Sequence, residues 1–149
     1  MIDKGSVTEK LLEACFALDA IGEKAINDIR TWFVEHMLAP YIELFSSGKQ
    51  EAGFQNTKRR FAWYKRVMKE ARQPKNGESC ALFDIFPEQW QMAQLYTYEF
   101  CRMTKLHIDE ILSTQQLDVT LIIETMHQTI EFENELCKQF DGANQKIRN

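Results

Sequence analysis

The apolar residues of this chain recur at three- and four-residue intervals, and no stretch alternates apolar with polar in the two-residue rhythm of a half-buried strand. The pattern predicts an all-α fold of about five helices. The first spans about Val7 to Leu18, where Ser6 followed by Glu9 has the form of a capping box. The second spans about Glu23 to Phe45, with Ile26, Ile29, Phe33, Met37 and Leu44 as its main stripe. Pro40 lies inside it and predicts a kink, because proline removes one backbone bond and crowds the carbonyl four residues earlier. The third spans about Asn56 to Arg72. The fourth starts at Pro87, a favoured first helical position, and reaches about Ser113. The fifth runs from about Asp118 to Phe140, where Asp141-Gly142 is expected to stop it and leave 143–149 as a frayed tail. Ser46 to Gln55 and Gln73 to Ile85 read as polar linkers. Long helices joined by short links predict an elongated bundle or rod, a single segment over 1–149 with an ordered core at 8–142.

Helix three changes the picture from plain core to candidate interaction surface. At about 100° per residue, Lys58, Arg59, Lys65, Arg66, Lys69 and Arg72 form a basic face opposite Phe61, Trp63, Tyr64, Val67, Met68 and Ala71. Such a helix, here 56–72, either lays a solvated face over an ordinary core or lies on an anionic membrane surface. Arg60 is the one cation off that face, set between Trp63 and Tyr64. On helix four, Trp90, Ala93, Thr97, Phe100, Cys101, Ile108 and Ile111 form one stripe. Met92, Leu95, Tyr96, Met103 and Leu106 form a second, with Glu99 in its middle. On helix five, Glu133 falls within the stripe of Met126, Thr129, Ile130, Leu136 and Cys137. A buried charge costs several kcal/mol unless paired and hydrogen-bonded. The pattern therefore predicts a structural charge cluster in which Arg60 pairs with Glu99 or Glu133 and fixes helix register. Apolar residues outside the main stripes (Leu12, Phe16, Trp32, Val34, Leu38, Ile42 and Phe45) are expected to be exposed for partner contacts.

Composition narrows the function classes. The 18 Lys and Arg against 22 Asp and Glu give a net charge of −4, which argues against nucleic acid as a partner, since phosphate binding rewards a basic excess. The charge is uneven: from Asp109 to Asp141 there are eight carboxylates and one cation, Lys138. No apolar run approaches the roughly 18 residues a spanning helix needs, and the N-terminus has no signal-peptide core. Cys15, Cys80, Cys101 and Cys137 are widely spaced and form no CxxC pair, which predicts a reducing compartment without disulfides. Glu124-x-x-His127 has the spacing of a di-iron helical site, but no second such motif exists. His36, His107 and His127 fall on different helices, and no nucleophile elbow or Gly-rich phosphate loop appears. The expectation is a protein that is not an enzyme, with no catalytic residue, metal or cofactor.

Four blocks then carry a resemblance: Arg59-Arg60-Phe61-Ala62-Trp63-Tyr64-Lys65-Arg66, Phe86-Pro87-x-x-Trp90-x-Met92-Ala93, Glu99-Phe100-Cys101-x-x-Thr104 and Thr129-x-x-Phe132-Glu133. With Leu12-Glu13-Ala14-Cys15, Trp32-Phe33 and Leu44-Phe45 upstream, the chain from Thr8 to Gly142 resembles the vacuolar protein sorting-associated protein 53 family. The resemblance implies an internal fragment of a longer subunit of the Golgi-associated retrograde protein tethering complex. It implies no catalytic residue. The implied partners are the other tethering subunits and, through the full complex, membrane-fusion proteins and small GTPases. The implied location is cytoplasmic and peripheral at trans-Golgi network and endosome membranes.

Overall fold

The computed structural model describes residues 4–75 and 81–147; Cys80 lies outside them. Among the described residues there are five α-helices and no strand: α1 (Lys4–Ile21), α2 (Glu23–Leu44), α3 (Thr57–Ala71), α4 (Met92–Thr114) and α5 (Val119–Ile147). The all-α expectation holds, while several boundaries move. α1 begins at Lys4, so Ser6 lies within the helix and is not its cap. Gly22 separates α1 from α2 at φ 126°, a conformation that a residue lacking Cβ adopts without strain. α2 remains helical through Pro40. Pro87 does not open α4. It is extended, a 3-10 turn follows at Glu88–Trp90, and Gln91 takes the left-handed conformation (φ 48°), so the helix starts at Met92. α5 continues past Gly142 to Ile147: one interior glycine costs about 1 kcal/mol, too little to end a helix of 29 residues.

The residues fall into two compact units, Met1–Glu43 with Trp63–Cys101, and Leu44–Ala62 with Arg102–Asn149. The first is built on aromatic rings. Phe100 is fully buried, with the Tyr41 ring at 4.9 Å, Tyr64 at 4.7 Å and Trp63 at 6.4 Å between centroids. Phe33 meets Phe86 edge-on at 4.7 Å. The Trp90 indole donates to an Asp19 carboxylate oxygen at 3.0 Å, tying the 3-10 turn to α1. These rings supply large apolar area at low rotamer cost, and their offset and edge arrangements add to the burial.

The burial of α2 lies one step round from the expected stripe. Val34, Leu38, Tyr41 and Phe45 are buried, and Leu44 is exposed. The expectation that Val34, Leu38 and Phe45 are exposed is thus overturned; Leu12, Phe16, Trp32 and Ile42 are exposed as expected. Leu44 looks as apolar as Phe45 in sequence, and only the neighbouring chain decides which is covered. On α4 one band is buried, Met92, Tyr96, Thr97, Phe100 and Thr104, while Leu106 is exposed.

Two buried tyrosines in this unit differ in their polar ends. Thr97 donates to the Ala93 carbonyl at 2.7 Å, so the Tyr64 hydroxyl donates to Thr97 Oγ1 at 2.6 Å. The Tyr96 hydroxyl is buried with no hydrogen-bond partner among the described residues, and burial, then Tyr64 and Tyr41, hold its pKa far above the usual phenol range. Leaving a buried polar group unpaired costs about 1–3 kcal/mol, whereas a satisfied bond contributes about 1 kcal/mol. Tyr96→Phe is therefore expected to be neutral or stabilising in urea unfolding, and Tyr64→Phe to cost about 1 kcal/mol. A clear loss for Tyr96→Phe would contradict this assignment.

Candidate functional site

The second unit is organised by a cation. Arg60 stands on the inner side of α3 with a relative exposure of 1%. One guanidinium nitrogen donates to the Ala52 carbonyl at 3.2 Å and the Phe45 carbonyl at 3.5 Å; the other meets His107 Nδ1 at 2.9 Å. The Phe45 ring lies 4.9 Å from the guanidinium carbon, a cation–π distance. The backbone between Phe45 and Ala52 is thereby folded onto α3. Sequence patterning reads Ser46 to Gln55 as a polar linker, but Ala52 and Phe54 are buried, and 3-10 turns form at Gln50–Ala52 and Phe54–Asn56. Thr57 Oγ1 donates to the Phe54 carbonyl at 2.7 Å, and Asn56 Nδ2 to the Gln50 carbonyl at 2.9 Å. Phe61 stacks on Phe132 of α5 with centroids 4.2 Å apart, holding the C-terminal helix to the same unit.

Glu133 is exposed, so the expected burial of its carboxylate beside Arg60 is corrected. The buried face of α5 passes through Thr125 and Phe132, while Met126 and Ile130 are exposed, so the whole stripe sits to one side of its expected place. Phe132 decides the register, because stacking a ring on Phe61 turns the neighbouring Glu133 outward. Glu99, half-buried, belongs to the first unit.

His107 reports on this arrangement. Because the guanidinium can only donate, Nδ1 accepts, which fixes the neutral tautomer with its proton on Nε2. Burial first, then the Arg60 charge, lower the His107 pKa, with Glu110 opposing them. The unfolded imidazole, with an ordinary pKa of about 6.5, therefore takes up its proton before the folded one. The unfolded state binds more protons across that window, so stability falls as pH drops below about 6.5 and levels off below the folded value. Urea midpoints measured from about pH 7 to about pH 5 should decline in the wild type and decline less in His107→Gln. Parallel curves would contradict the assignment.

An open hollow of about 360 Å³ beside this cluster is lined by Phe45, Lys49, Gln50, Arg60, His107 and Glu110 among others. Arg60 already spends its donors on carbonyls and imidazole, so the hollow is the outside of a structural clamp. Elsewhere on α3 and at the turn that follows it, Lys58, Arg59, Lys65, Arg66, Lys69 and Arg72 are all exposed, while Phe61, Trp63, Tyr64, Met68 and Ala71 are buried. Glu124, His127 and His36 are exposed, and His36 stacks on the exposed Trp32 at 5.5 Å. Among the described residues Cys15, Cys101 and Cys137 form no disulfide; Cys15 is buried, Cys101 half-buried and Cys137 exposed. Among the described residues no three His, Cys, Asp or Glu side chains are grouped to hold a metal ion, and no helix is long and apolar enough to cross a membrane.

The sequence blocks singled out above each contribute to the buried core: Arg60, Phe61, Trp63, Tyr64, Trp90, Met92, Phe100, Thr104 and Phe132 are buried. The family model described as Vps53, N-terminal matches residues 1–149. The chain belongs to this Vps53 family. It is 27% identical over 143 residues to vacuolar protein sorting-associated protein 53 A of Arabidopsis thaliana, a match covering 95% of the chain and 16% of that protein. It is 25% identical over 138 residues to the vacuolar protein sorting-associated protein 53 homolog of Caenorhabditis elegans, covering 91% of the chain and 16% of that protein. The chain thus spans about a sixth of the length of these Vps53 relatives. No solved structure matches it.

Proposed function

We propose that this chain is a structural and interaction segment of a multisubunit vesicle-tethering complex acting in endosome-to-trans-Golgi retrograde transport, and that it performs no catalysis. The observation that carries the reading is the Vps53 family match along the whole chain. The site chemistry agrees with it: Arg60, the buried cation that the sequence singles out, is spent on holding backbone carbonyls. The partners of this reading are the other tethering subunits and, through the assembled complex, membrane-fusion proteins and small GTPases. Its place is the cytoplasmic side of trans-Golgi network and endosome membranes, as a peripheral component. Affinity purification of the tagged chain from cells should recover the other tethering subunits. Their absence from a purification that recovers them with a full-length control would overturn the reading.

A second reading, a membrane-surface module working through α3, is favoured by the exposure of all six cations of its basic face. The buried apolar face leaves only electrostatic attachment, worth about 1 kcal/mol per cation near an anionic surface. Flotation with anionic vesicles should then be abolished by raised salt. Salt-resistant flotation would require the apolar face to leave the core, and no flotation at low salt would dismiss the reading.

A further inference from the structure

The second half of α3 carries a charge arrangement that works against the helix itself. Lys65, Arg66, Lys69 and Arg72 are all exposed and belong to the first unit. Lys69 stands at their centre: Lys65 is four residues before it, Arg66 three before and Arg72 three after. Side chains at these spacings are neighbours on a helix, and like charges there destabilise it. The Arg72 amide donates to the Met68 carbonyl, so Arg72 follows the same spiral. Glu70 is the one carboxylate of α3. Arg66, Lys69, Glu70 and Arg72 form no ion pair among the described residues. On other helices exposed lysines do pair four residues on, Lys24 with Asp28 and Lys105 with Asp109. At about 100° per residue Lys65, Lys69 and Arg72 fall within about 60° of one another over about 10 Å of helix, with Arg66 about 60° to one side. The apolar face is spent, since Trp63, Tyr64, Met68 and Ala71 are buried. A partner of the basic face is therefore held by charge.

Charge also sets the shape of that partner. The rest of this unit holds five Lys and Arg (Lys4, Lys10, Lys24, Arg30 and Lys75) against 13 Asp and Glu. A broad anionic plane that approaches the patch also meets this acidic excess, whereas a narrow acidic ligand meets the patch alone. We infer that this face binds a Glu- or Asp-rich helix of a partner protein, with carboxylates four and three residues apart that repeat the spacing of Lys65, Lys69 and Arg72. Arg66 and Arg72 add planar forks that can hold a carboxylate through two bonds. The inference goes beyond the tethering reading and does not rest on it. It competes with the membrane reading for the same face.

The test measures fluorescence anisotropy of two labelled peptides with the whole chain at about 0.15 M salt. Both are alanine-based helices of one composition. One carries its glutamates at four- and three-residue spacing along one side, and the other distributes them around the helix. The first should bind at least about tenfold more tightly, a difference of about 1.4 kcal/mol. Lys69→Glu should weaken that binding at least about tenfold. Because it removes like-charge neighbours, it should leave the urea midpoint the same or higher. Arg72→Glu, beyond the last residue of α3, repeats the reading without a change inside the helix. Lys10→Glu, an equal change of net charge on another helix, should shift binding by less than about threefold, because exposed charges outside the contact are screened at this salt. Equal binding of the two peptides, binding of neither, or equal losses at Lys69, Arg72 and Lys10 would each overturn the inference. Co-flotation with phosphatidylserine vesicles at the same salt would also overturn it and give the face to the membrane. So would a DNA duplex that binds more tightly than the patterned peptide, which would give the face to nucleic acid.

Discussion

Replacing Arg60 with methionine is expected to remove about 3–5 kcal/mol of stability, the range found when one member of a buried charged network is deleted. Methionine fills much of the same volume, so the loss comes from polar groups left behind. The Phe45 and Ala52 carbonyls lose a buried donor, and the half-buried His107 Nδ1 loses the same guanidinium. Each unsatisfied group costs about 1–3 kcal/mol. Arg60→Lys keeps the charge but replaces a planar fork by a point donor that cannot serve the imidazole and both carbonyls together, so it should recover only part of the loss. Urea unfolding of both variants checks the claim. If both fall within about 0.5 kcal/mol of wild type, the range of ordinary surface substitutions, the clamp contributes nothing.

Phe100→Ala should cost a similar amount, about 3–5 kcal/mol, for a different reason. Its ring is fully buried among Tyr41, Trp63 and Tyr64, and three rigid aromatic neighbours cannot collapse into the space it leaves. Tyr98, on the same helix but 63% exposed, is the matched control and should change by less than about 0.5 kcal/mol on truncation. Similar effects at the two positions would mean that the aromatic cluster does not organise this unit.

Helix number and type were legible because a 3.6-residue apolar period survives errors of a residue or two at the ends. The register of burial was less so. α2 and α5 each carry apolar residues on more than one side, and the choice between Leu44 and Phe45, or between Ile130 and Phe132, is made by rings on other elements that a single helix does not display. Arg60 was visible as a cation among aromatics. Two of its partners were not, because carbonyls at positions 45 and 52 are common to every sequence, and only their convergence on a folded connector makes them acceptors. A cue existed in Phe54, a large apolar residue in a stretch otherwise polar, whose burial draws the connector inward. The exposure of the six cations from Lys58 to Arg72 was legible, since the apolar residues on the other side of the helix are the ones that pack into the core.

The most direct measurement of the central claim is reconstitution from purified components. The chain is mixed with the remaining tethering subunits, the parent subunit being left out, and followed by size-exclusion chromatography with light scattering. The account predicts a shift of the chain into a complex of fixed stoichiometry. The shift should persist in a variant with the α3 cations neutralised and be lost under conditions in which Arg60→Met is unfolded and the wild type is folded. A chain that elutes alone in the presence of every other subunit would contradict it.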